Sequence, residues 1–398
     1  MKIFNNTLHG RVNAIASKSI EHRHIICSFL ANEEIKKPIV ESDDVLASYN
    51  ACVALRNNQT TINVKSSGST LRFLMPYIAT LNKQITILMN DDLSKRPIDE
   101  YEKIFGGSVK INKYDGYITV IGKLTSGQFT IDGSISSQYI SGMLLCLPML
   151  DGDSCVRLEN MESNDYVNLT IDSMQKFGVD VETCDNIYKI KGNQKYKLPK
   201  DISIEADYSQ SAFFIAAGLL YGDIRIIGLN QRSIQGDFRI IEYFKKMNGN
   251  LFFDNDTLVV NKSNLIGIEV NLKDNPDLAP ILIAVASLSK GKSRIYGLRR
   301  LKYKESNRLS SMIYNLNKLK ANIIYNDENE IIIEGVKQLS GNIELDSYND
   351  HRIVMALSII SGMCIAPIMI SGANNAVKKS YPRFFDDFVK LGGKIDGN

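Results

Sequence analysis

The 398-residue sequence has little of several features that mark whole classes of protein. Its 47 Lys and Arg residues nearly balance its 44 Asp and Glu residues, which leaves a formal net charge of +3. Binding to nucleic acid or to a membrane surface needs a concentrated basic face, so this balance argues against both partners. No run approaches the roughly 20 apolar residues of a membrane span, because polar residues and Pro367 interrupt the most apolar stretch, residues 353–370.

The sequence also lacks the patterns of metal, disulfide and nucleotide sites. Its six cysteines are scattered, with no CxxC pair and no Cys/His cluster, which predicts reduced thiols rather than zinc ligands or disulfides. No GxxxxGK[ST], HExxH or GxSxG motif is present, and no GxGxxG follows a strand. The first residues contain no hydrophobic signal core, and we expect a cytoplasmic protein. These absences leave chemistry by positioned charges and proton transfer, with no cofactor and no metal.

What the chain does have is an internal repeat. Amphipathic helical segments end in small residues or Asn at positions 107, 178, 249, 321 and 392, at intervals of 71, 71, 72 and 71 residues. In the clearest copy, the apolar positions 309, 312, 313, 316 and 319 share one helix face. Short β-rich runs, such as residues 85–89 and 224–227, lie between the helices. We therefore predict an α/β protein with two related domains of three units each.

A second series has the same period and consists of six polar loops, each followed by an apolar helix. The loops begin at Ser17, Ser66, Ser136, Asp207, Asn275 and Asn349. Their helices are apolar almost all round, which predicts burial. Helix N-termini that converge would attract anions through their N–H groups and dipoles. The alternative is that the polar residues only cap the helices.

Cations lie where these helices begin. They are Lys18, Arg23, Arg72, Arg96, Lys304, Arg308, Arg352 and Lys379. The spacing of Lys304 and Arg308 predicts that the two share a helix face. Several lysines and arginines together would suit a substrate with more than one phosphate or carboxylate, although any one of them could be a solvated surface charge.

Acidic residues accompany the cations. Asp277, Glu305 and Asp350 lie in or beside the same loops, and a carboxylate among cations can stay ionised and act as a base. Two alternatives stay open, with Asp277 as a helix cap and Asp350 as the partner of a neighbouring Arg. His351 could carry a proton or could be a hydrogen-bonded structural histidine.

The loops match one family in order and spacing. The matching segments are residues 17–23 (SKSIEHR), 67–72 (SGSTLR), 96–98 (RPI), 136–139 (SSQY), 207–212 (DYSQSA), 276–277 (PD), 304–309 (KESNRL), 348–352 (YNDHR) and 379–382 (KSYP). Through them the chain resembles the 5-enolpyruvylshikimate-3-phosphate synthases, the 3-phosphoshikimate 1-carboxyvinyltransferases, from about Asn13 to Val389. Each segment alone is a weak signal, but nine in the right order are a strong one.

The resemblance implies an α/β (α+β) fold of two similar domains. Each domain would contain three βαβαββ-like repeats, with the active site in the cleft between the domains. The chain would cross between them twice, so that residues 1–15 and 207–398 form one domain and residues 16–206 the other.

The resemblance also implies a reaction. The enolpyruvyl group of phosphoenolpyruvate would pass to the 5-hydroxyl of shikimate 3-phosphate with release of phosphate, by addition and elimination through a tetrahedral intermediate. By analogy Asp277 would deprotonate the hydroxyl, and Glu305 or Lys18 would protonate the methylene carbon. A monomer acting on two small molecules without a cofactor is the expected form.

Substrate contacts follow residue by residue from the same resemblance. Those implied for shikimate 3-phosphate are Lys18, Ser19, Arg23, Ser136, Ser137, Gln138, Ser163, Tyr166, Asp277 and Lys304. Those implied for phosphoenolpyruvate are Lys18, Gly68, Arg96, Gln138, Arg308, Arg352 and Lys379.

The chain departs from the family pattern at three places. Ser66 stands where the family often has Asn, Arg300 where some members have an Asn that contacts substrate, and Glu21-His22 where smaller or neutral residues are common. We expect these changes to affect affinity more than reaction type.

Two alternative functions remain. A UDP-N-acetylglucosamine enolpyruvyl transferase would share the fold and the donor, but that family typically has a Cys before the Arg-Pro segment, and residues 90–95 contain none. A non-catalytic phospholigand-binding repeat protein would need the cations but not Asp277 and Glu305 together.

Overall fold

The protein consists of two compact units. The computed structural model describes residues 1–160 and 164–396. Unit 1 comprises Met1–Ser17 and Glu205–Asn398, and unit 2 comprises Lys18–Ile204. The predicted domains differ from these units by two residues at each boundary. Within the described ranges, none of the helices is long and apolar enough to cross a membrane.

The described residues form fourteen α-helices. They are α1 (Lys18–Leu30), α2 (Asp43–Arg56), α3 (Gly68–Thr80), α4 (Asp91–Ser94), α5 (Glu100–Phe105), α6 (Ser137–Cys146), α7 (Asn164–Lys176), α8 (Tyr208–Tyr221), α9 (Ile240–Lys246), α10 (Ala279–Ala286), α11 (Arg308–Lys318), α12 (His351–Ile360), α13 (Ala373–Val377) and α14 (Phe384–Lys390). Short 3₁₀ turns are interspersed at Leu147–Met149, Gly236–Arg239, Pro276–Leu278, Arg299–Tyr303 and Ser361–Met363.

The strands of unit 1 are β1 (Lys2–Ile3), β2 (Gly10–Asn13), β11 (Ile224–Ile227), β12 (Asn250–Asp254), β13 (Thr257–Asn261), β14 (Glu269–Asn271), β15 (Lys292–Tyr296), β16 (Asn322–Asp327), β17 (Glu330–Glu334), β18 (Ile343–Asp346), β19 (Ile368–Ser371) and β20 (Ile395–Asp396). Those of unit 2 are β3 (Thr61–Asn63), β4 (Ile85–Leu88), β5 (Val109–Tyr114), β6 (Tyr117–Gly122), β7 (Gln128–Asp132), β8 (Ser154–Glu159), β9 (Glu182–Cys184) and β10 (Ile187–Ile190).

The described residues form five four-stranded sheets, which repeat one topology. In the order β3-β4-β6-β5, the first pair is parallel and the next two pairs are antiparallel. The sheets β7-β8-β10-β9, β14-β15-β17-β16, β2-β11-β13-β12 and β18-β19-β1-β20 follow the same pattern. The amino terminus enters two sheets of unit 1, since β2 pairs parallel with β11 and β1 pairs with β19 and β20. The predicted α/β repeat fold is confirmed.

Unit 2 has two sheets among its described residues, whereas unit 1 has three. The first repeat of unit 2 contributes α1 and α2, and only four residues, 57–60, separate α2 from β3. The next repeat places the hairpin β5–β6 at the corresponding point. The first repeat of unit 2 is therefore shorter than the next one. The spacing of the polar loops shows the same difference, because Ser17 and Ser67 are 50 residues apart whereas Ser67 and Ser136 are 69 apart.

Helix ends follow the chemistry expected of the repeat. The side chains of Ser67, Ser136, Asp207 and Asp350 accept a hydrogen bond from a backbone N–H in the first turn of α3, α6, α8 and α12. Every residue of α8, α10 and α12 is buried, which confirms the predicted burial. The left-handed stop after α11 falls at Lys320 (φ 65°), one residue before the predicted stop.

Candidate functional site

Asp277 in unit 1 is surrounded by three cations. It lies in the 3₁₀ turn Pro276–Leu278 that leads into α10, and it does not cap that helix. Its Oδ1 accepts a hydrogen bond from Arg308 Nη1 at 2.8 Å and lies 2.9 Å from Lys304 Nζ. Its Oδ2 lies 3.2 Å from Arg352 Nη2, and Arg352 Nη1 donates to its backbone carbonyl at 3.0 Å.

Arg308 lies at the centre of this arrangement. Its side chain is 1% exposed, and its Nε donates to Asp350 Oδ2 at 2.8 Å. Its Nη2 donates to Glu305 Oε2 at 2.5 Å, so one guanidinium binds three carboxylates, that of Asp277 included. Arg308 is the first residue of α11, and Asp350 is the N-cap of α12. The starts of two helices and the 3₁₀ turn therefore meet at one guanidinium.

The prediction that Lys304 and Arg308 share a helix face is wrong. Lys304 follows the 3₁₀ turn Arg299–Tyr303 and lies outside α11, which begins at Arg308. The two cations meet instead through their common partner Asp277.

Two further residues complete the surroundings. Lys379 Nζ lies 4.0 Å from Glu305 Oε1, and its side chain is 10% exposed. His351 is buried at the start of α12 with its Nδ1 3.8 Å from Asp350 Oδ1. We call Asp277, Lys304, Glu305, Arg308, Asp350, Arg352 and Lys379 the carboxylate cluster.

The charged groups in the carboxylate cluster shift the pKa values of their neighbours. Burial opposes ionisation of Asp277, but Arg352, Lys304 and Arg308 outweigh it and hold the pKa of that carboxyl well below its usual range. Burial likewise opposes the charge of Arg308, and Asp350, Glu305 and Asp277 together raise its pKa. Burial lowers the pKa of Lys304, which Asp277 only partly offsets. Asp277 is therefore an ionised carboxylate at neutral pH.

Arg23 in unit 2 is as buried as Arg308 but has neutral partners. Its Nε donates to Thr170 Oγ1 at 2.8 Å, its Nη1 to the carbonyl of Ser19 at 2.6 Å, and its Nη2 to the carbonyl of Tyr166 at 2.8 Å. The guanidinium also lies 4.9 Å from the ring centre of Phe73. Burial lowers its pKa to about 10, still far above neutrality, so the positive charge persists.

Gly68 lies where three polar side chains converge. A Cβ at this position would lie 2.8 Å from Arg72 Nη1, 3.4 Å from Arg96 Nη1 and 3.7 Å from Gln138 Oε1. Arg72 Nη1 donates to Gln138 Oε1 at 2.9 Å, and Gln138 Nε2 donates to Ser69 Oγ at 2.9 Å. Glycine thus leaves room for the Arg72 guanidinium beside the first turn of α3, and any Cβ at this position would displace that guanidinium.

Acidic residues pair with the other two candidate site cations of unit 2, Lys18 and Arg96. Lys18, the first residue of α1, lies 2.8 Å from Asp44 Oδ2 on α2. Arg96 Nη2 lies 3.9 Å from Asp92 Oδ2, and Ser66 Oγ donates to Asp92 Oδ1 at 2.7 Å. Ser66, which stands where the family often has Asn, therefore contacts the Asp92 carboxylate that pairs with Arg96. We call Lys18, Arg23, Gly68, Arg72, Arg96 and Gln138 the unit 2 cluster.

The other predicted contacts of unit 2 have simple structural positions. Ser136 caps α6, Ser137 is its first residue and is buried, and Ser19 and Tyr166 contribute the carbonyls that bind Arg23. Ser163 lies outside the described residues.

Sequence reasoning left three residues out of the predicted site. Arg72 was visible as a cation at the start of a helix, in a segment that matches the family. Asp44 and Thr170 carried no local signal, because they reach Lys18 and Arg23 from other helices. Among the described residues, no group of three or more His, Cys, Asp and Glu side chains is placed to hold a metal ion.

Solved structures define the class of fold. The enolpyruvyl transferase NikO from Streptomyces tendae superposes with a TM-score of 0.79 at 16% identity, covering 99% of this chain and 98% of that chain. An EPSP synthase from Acinetobacter baumannii superposes with a TM-score of 0.78 at 22% identity, covering 98% and 97%. The fold is that of the enolpyruvyl transferases.

Sequence comparison identifies the family within that class. The profile of EPSP synthase (3-phosphoshikimate 1-carboxyvinyltransferase) matches residues 56–388. A 3-phosphoshikimate 1-carboxyvinyltransferase from Clostridium novyi (strain NT) is 38% identical over 434 aligned positions, covering 100% of this chain and 98% of the relative. One from Clostridium botulinum (strain Eklund 17B / Type B) is 39% identical over 429, covering 99% and 98%. The chain belongs to the EPSP synthase family, as its motifs predicted.

Proposed function

We propose that the protein transfers the enolpyruvyl group of phosphoenolpyruvate to the 5-hydroxyl of shikimate 3-phosphate and releases phosphate. Beside family membership, one observation carries this proposal, namely the buried carboxylate of Asp277 held by Lys304, Arg308 and Arg352. Such a group combines anion-binding cations with a potential base at one place. Both substrates carry phosphate and carboxylate groups, which the cations of both clusters would bind.

Substrate binding would itself make Asp277 basic. In the unliganded protein the three cations lower the pKa of Asp277, so it accepts a proton poorly. A general base works best when its pKa lies near the operating pH. When substrate anions take hydrogen bonds from Lys304, Arg308 and Arg352, the stabilisation of the charged carboxylate falls and its pKa rises. The 5-hydroxyl is then deprotonated only in the loaded site.

The other roles remain as assigned by resemblance. Glu305 or Lys18 protonates the methylene carbon of phosphoenolpyruvate, and Arg308 and Asp44 orient these two groups in the unliganded protein. Ser19, Arg23, Ser136, Ser137, Gln138, Ser163 and Tyr166 join Lys18, Asp277 and Lys304 as contacts of shikimate 3-phosphate. Gly68, Arg96, Arg352 and Lys379 join Lys18, Gln138 and Arg308 as contacts of phosphoenolpyruvate. The fixed charges stabilise the tetrahedral intermediate.

We further propose that the enzyme is monomeric and cytoplasmic and uses no cofactor or metal. Its partners are small molecules, and it binds neither nucleic acid nor membranes. The active site in a cleft between two domains stays a prediction.

A phosphate-release assay tests the function. We expect release only when phosphoenolpyruvate and shikimate 3-phosphate are both present, with no added metal, and a carboxyvinyl ether as the second product by NMR. Release with a UDP-N-acetylamino sugar in place of shikimate 3-phosphate would favour the rival transferase. Binding of both substrates without any turnover would favour the non-catalytic alternative.

A further inference from the structure

A cavity lies in unit 1 beside α11. Its volume is about 480 Å³, and it is bounded by the 3₁₀ turn Arg299–Tyr303, α11 and β16. Its floor includes the buried side chains of Leu298 and Leu309, and its walls include the half-exposed rings of Tyr314 and Tyr325. Protein sites for small organic molecules occupy about 300–1,000 Å³ and are mostly apolar with a few polar groups. The cavity has the volume and the lining for an aromatic ring.

The charged residues at the cavity favour an anion. Lys302 Nζ and Glu328 Oε2 are 2.8 Å apart and neutralise each other. The exposed Arg299 adds a second cation, so the lining carries two cations and one carboxylate. A guanidinium matches a carboxylate through paired hydrogen bonds, and stacking against tyrosine suits a ring. The complementary ligand is an aromatic ring with one negative charge.

The cavity and the carboxylate cluster use the same turn of one helix. Asn307 and Leu309 line the cavity, and Arg308 between them points its buried guanidinium at Asp277, Glu305 and Asp350. Asn307 also caps α11 by accepting from Ser310 N at 3.3 Å. An occupant of the cavity therefore contacts the residues on either side of Arg308 without touching its guanidinium partners.

We propose that this cavity is a regulatory site for a free, single-ring aromatic carboxylate. Its ring packs on Leu309, Tyr314 and Tyr325, and its carboxylate pairs with Arg299. Binding shifts the first turn of α11, moves Arg308 relative to the carboxylate cluster, and so changes affinity for shikimate 3-phosphate. This last step rests on the proposed function, whereas binding in the cavity does not.

Binding is tested first, without substrates, using 4-hydroxyphenylacetate as the probe and saturation-transfer NMR with calorimetry. We expect Arg299→Gln to weaken binding about 10-fold, the value of one charge-assisted hydrogen-bonded pair. Arg232→Gln makes the same change at an exposed position away from the cavity and should bind the probe normally. The neutral 4-hydroxyphenylacetamide should bind about 10-fold more weakly than the acid. Ser310→Trp, which fills the cavity from an exposed position on α11, should abolish binding.

Two results overturn the site. One is the absence of probe binding at about 10 mM, a Kd too weak for a built site. The other is equal binding by the wild type, Arg299→Gln and Ser310→Trp proteins. Coupling is tested by titrating shikimate 3-phosphate with and without saturating probe, and an unchanged Kd overturns the regulatory role. A protein that binds the probe but lacks transferase activity would refute the proposed function and leave the cavity assignment intact.

Discussion

In unit 1 the buried Arg308 binds three carboxylates, whereas in unit 2 the equally buried Arg23 binds a threonine hydroxyl and two backbone carbonyls. Burial disfavours the charge at both positions. The acids of unit 1 nevertheless raise the pKa of Arg308, while burial prevails at Arg23 and lowers its pKa to about 10. The partners, rather than the depth of burial, decide the outcome.

This difference suggests a division of chemical roles. The cations of the carboxylate cluster are committed to acids, whose ionisation they control, so that cluster is suited to proton transfer. In the unit 2 cluster Arg23 and Arg72 bind neutral acceptors, and their positive charge stays available to an anion. Substitutions at Asp277, Arg308, Arg23 and Gly68 test this division.

Asp277→Asn removes the proposed base while keeping the shape of the side chain. We expect kcat to fall about 10²–10⁴-fold, the usual contribution of a positioned general base, with shikimate 3-phosphate still bound. Glu330→Gln is the matched control, because Glu330 is an acid in an ion pair with Arg294 on the surface of the same unit. Near-normal kcat in Asp277→Asn would remove Asp277 as the base.

Arg308→Lys and Arg23→Lys should destabilise the protein unequally. Arg308→Lys removes the guanidinium that three buried carboxylates share, which costs about 3–5 kcal/mol. Arg23→Lys leaves neutral acceptors partly unsatisfied, which costs about 1–3 kcal/mol. Urea unfolding measures both, and Arg294→Lys at an exposed ion pair should behave like the wild type. A larger loss for Arg23→Lys would reverse the comparison.

Gly68→Ala should weaken binding of phosphoenolpyruvate more than binding of shikimate 3-phosphate. The new Cβ would lie 2.8 Å from Arg72 Nη1, so the guanidinium must move. We expect KM for phosphoenolpyruvate to rise about 10-fold, equivalent to about 1.4 kcal/mol, with kcat nearly unchanged. Steady-state kinetics with each substrate varied in turn would detect this. An equal rise in KM for shikimate 3-phosphate would argue against the assignment of Gly68.

Unit 2 should also be the acid-sensitive part of the chain. His24 is 4% exposed, and burial, with Lys176 nearby, lowers its pKa to about 4. The unfolded chain, with an ordinary histidine pKa near 6.5, binds the proton first, so stability falls as pH drops from about 6.5 to 4. His24→Leu should remove about 1 kcal/mol of the stability lost between about pH 7.5 and 5.5.

Urea unfolding at the two pH values measures the effect of His24→Leu. His9→Gln, at an exposed histidine of unit 1, is the control and should keep the wild-type pH dependence. If His24→Leu also loses stability as steeply as the wild type, burial of His24 is not the cause.

The sequence predicted the architecture because its signals are local and periodic. The helix caps, such as Ser67 and Asp207, and the apolar helices are local signals that depend on neighbouring residues. The 71-residue period is a periodic signal that can be read directly along the chain. The candidate cations were visible for the same reason. That the described residues of unit 2 form two sheets rather than three could have been inferred from the 50-residue spacing between Ser17 and Ser67.

The pairing within the clusters could not be predicted in the same way. Arg308 meets Asp350 across 42 residues and Arg23 meets Thr170 across 147, so these contacts depend on how distant helices pack. The prediction that Lys304 and Arg308 share a helix face was wrong because Lys304 follows a 3₁₀ turn and lies outside the α-helix that begins at Arg308. Spacing alone does not distinguish those two conformations.

The most direct test of the account is a ¹³C NMR titration of the Asp277 carboxyl, with its signal assigned by its absence from Asp277→Asn. In the free protein we expect a pKa well below the ordinary aspartate value. With shikimate 3-phosphate and inorganic phosphate bound, the ligand anions should draw on Lys304, Arg308 and Arg352, and the pKa should rise. A pKa that stays the same or falls when both ligands are bound would contradict the claim that substrate binding creates the base.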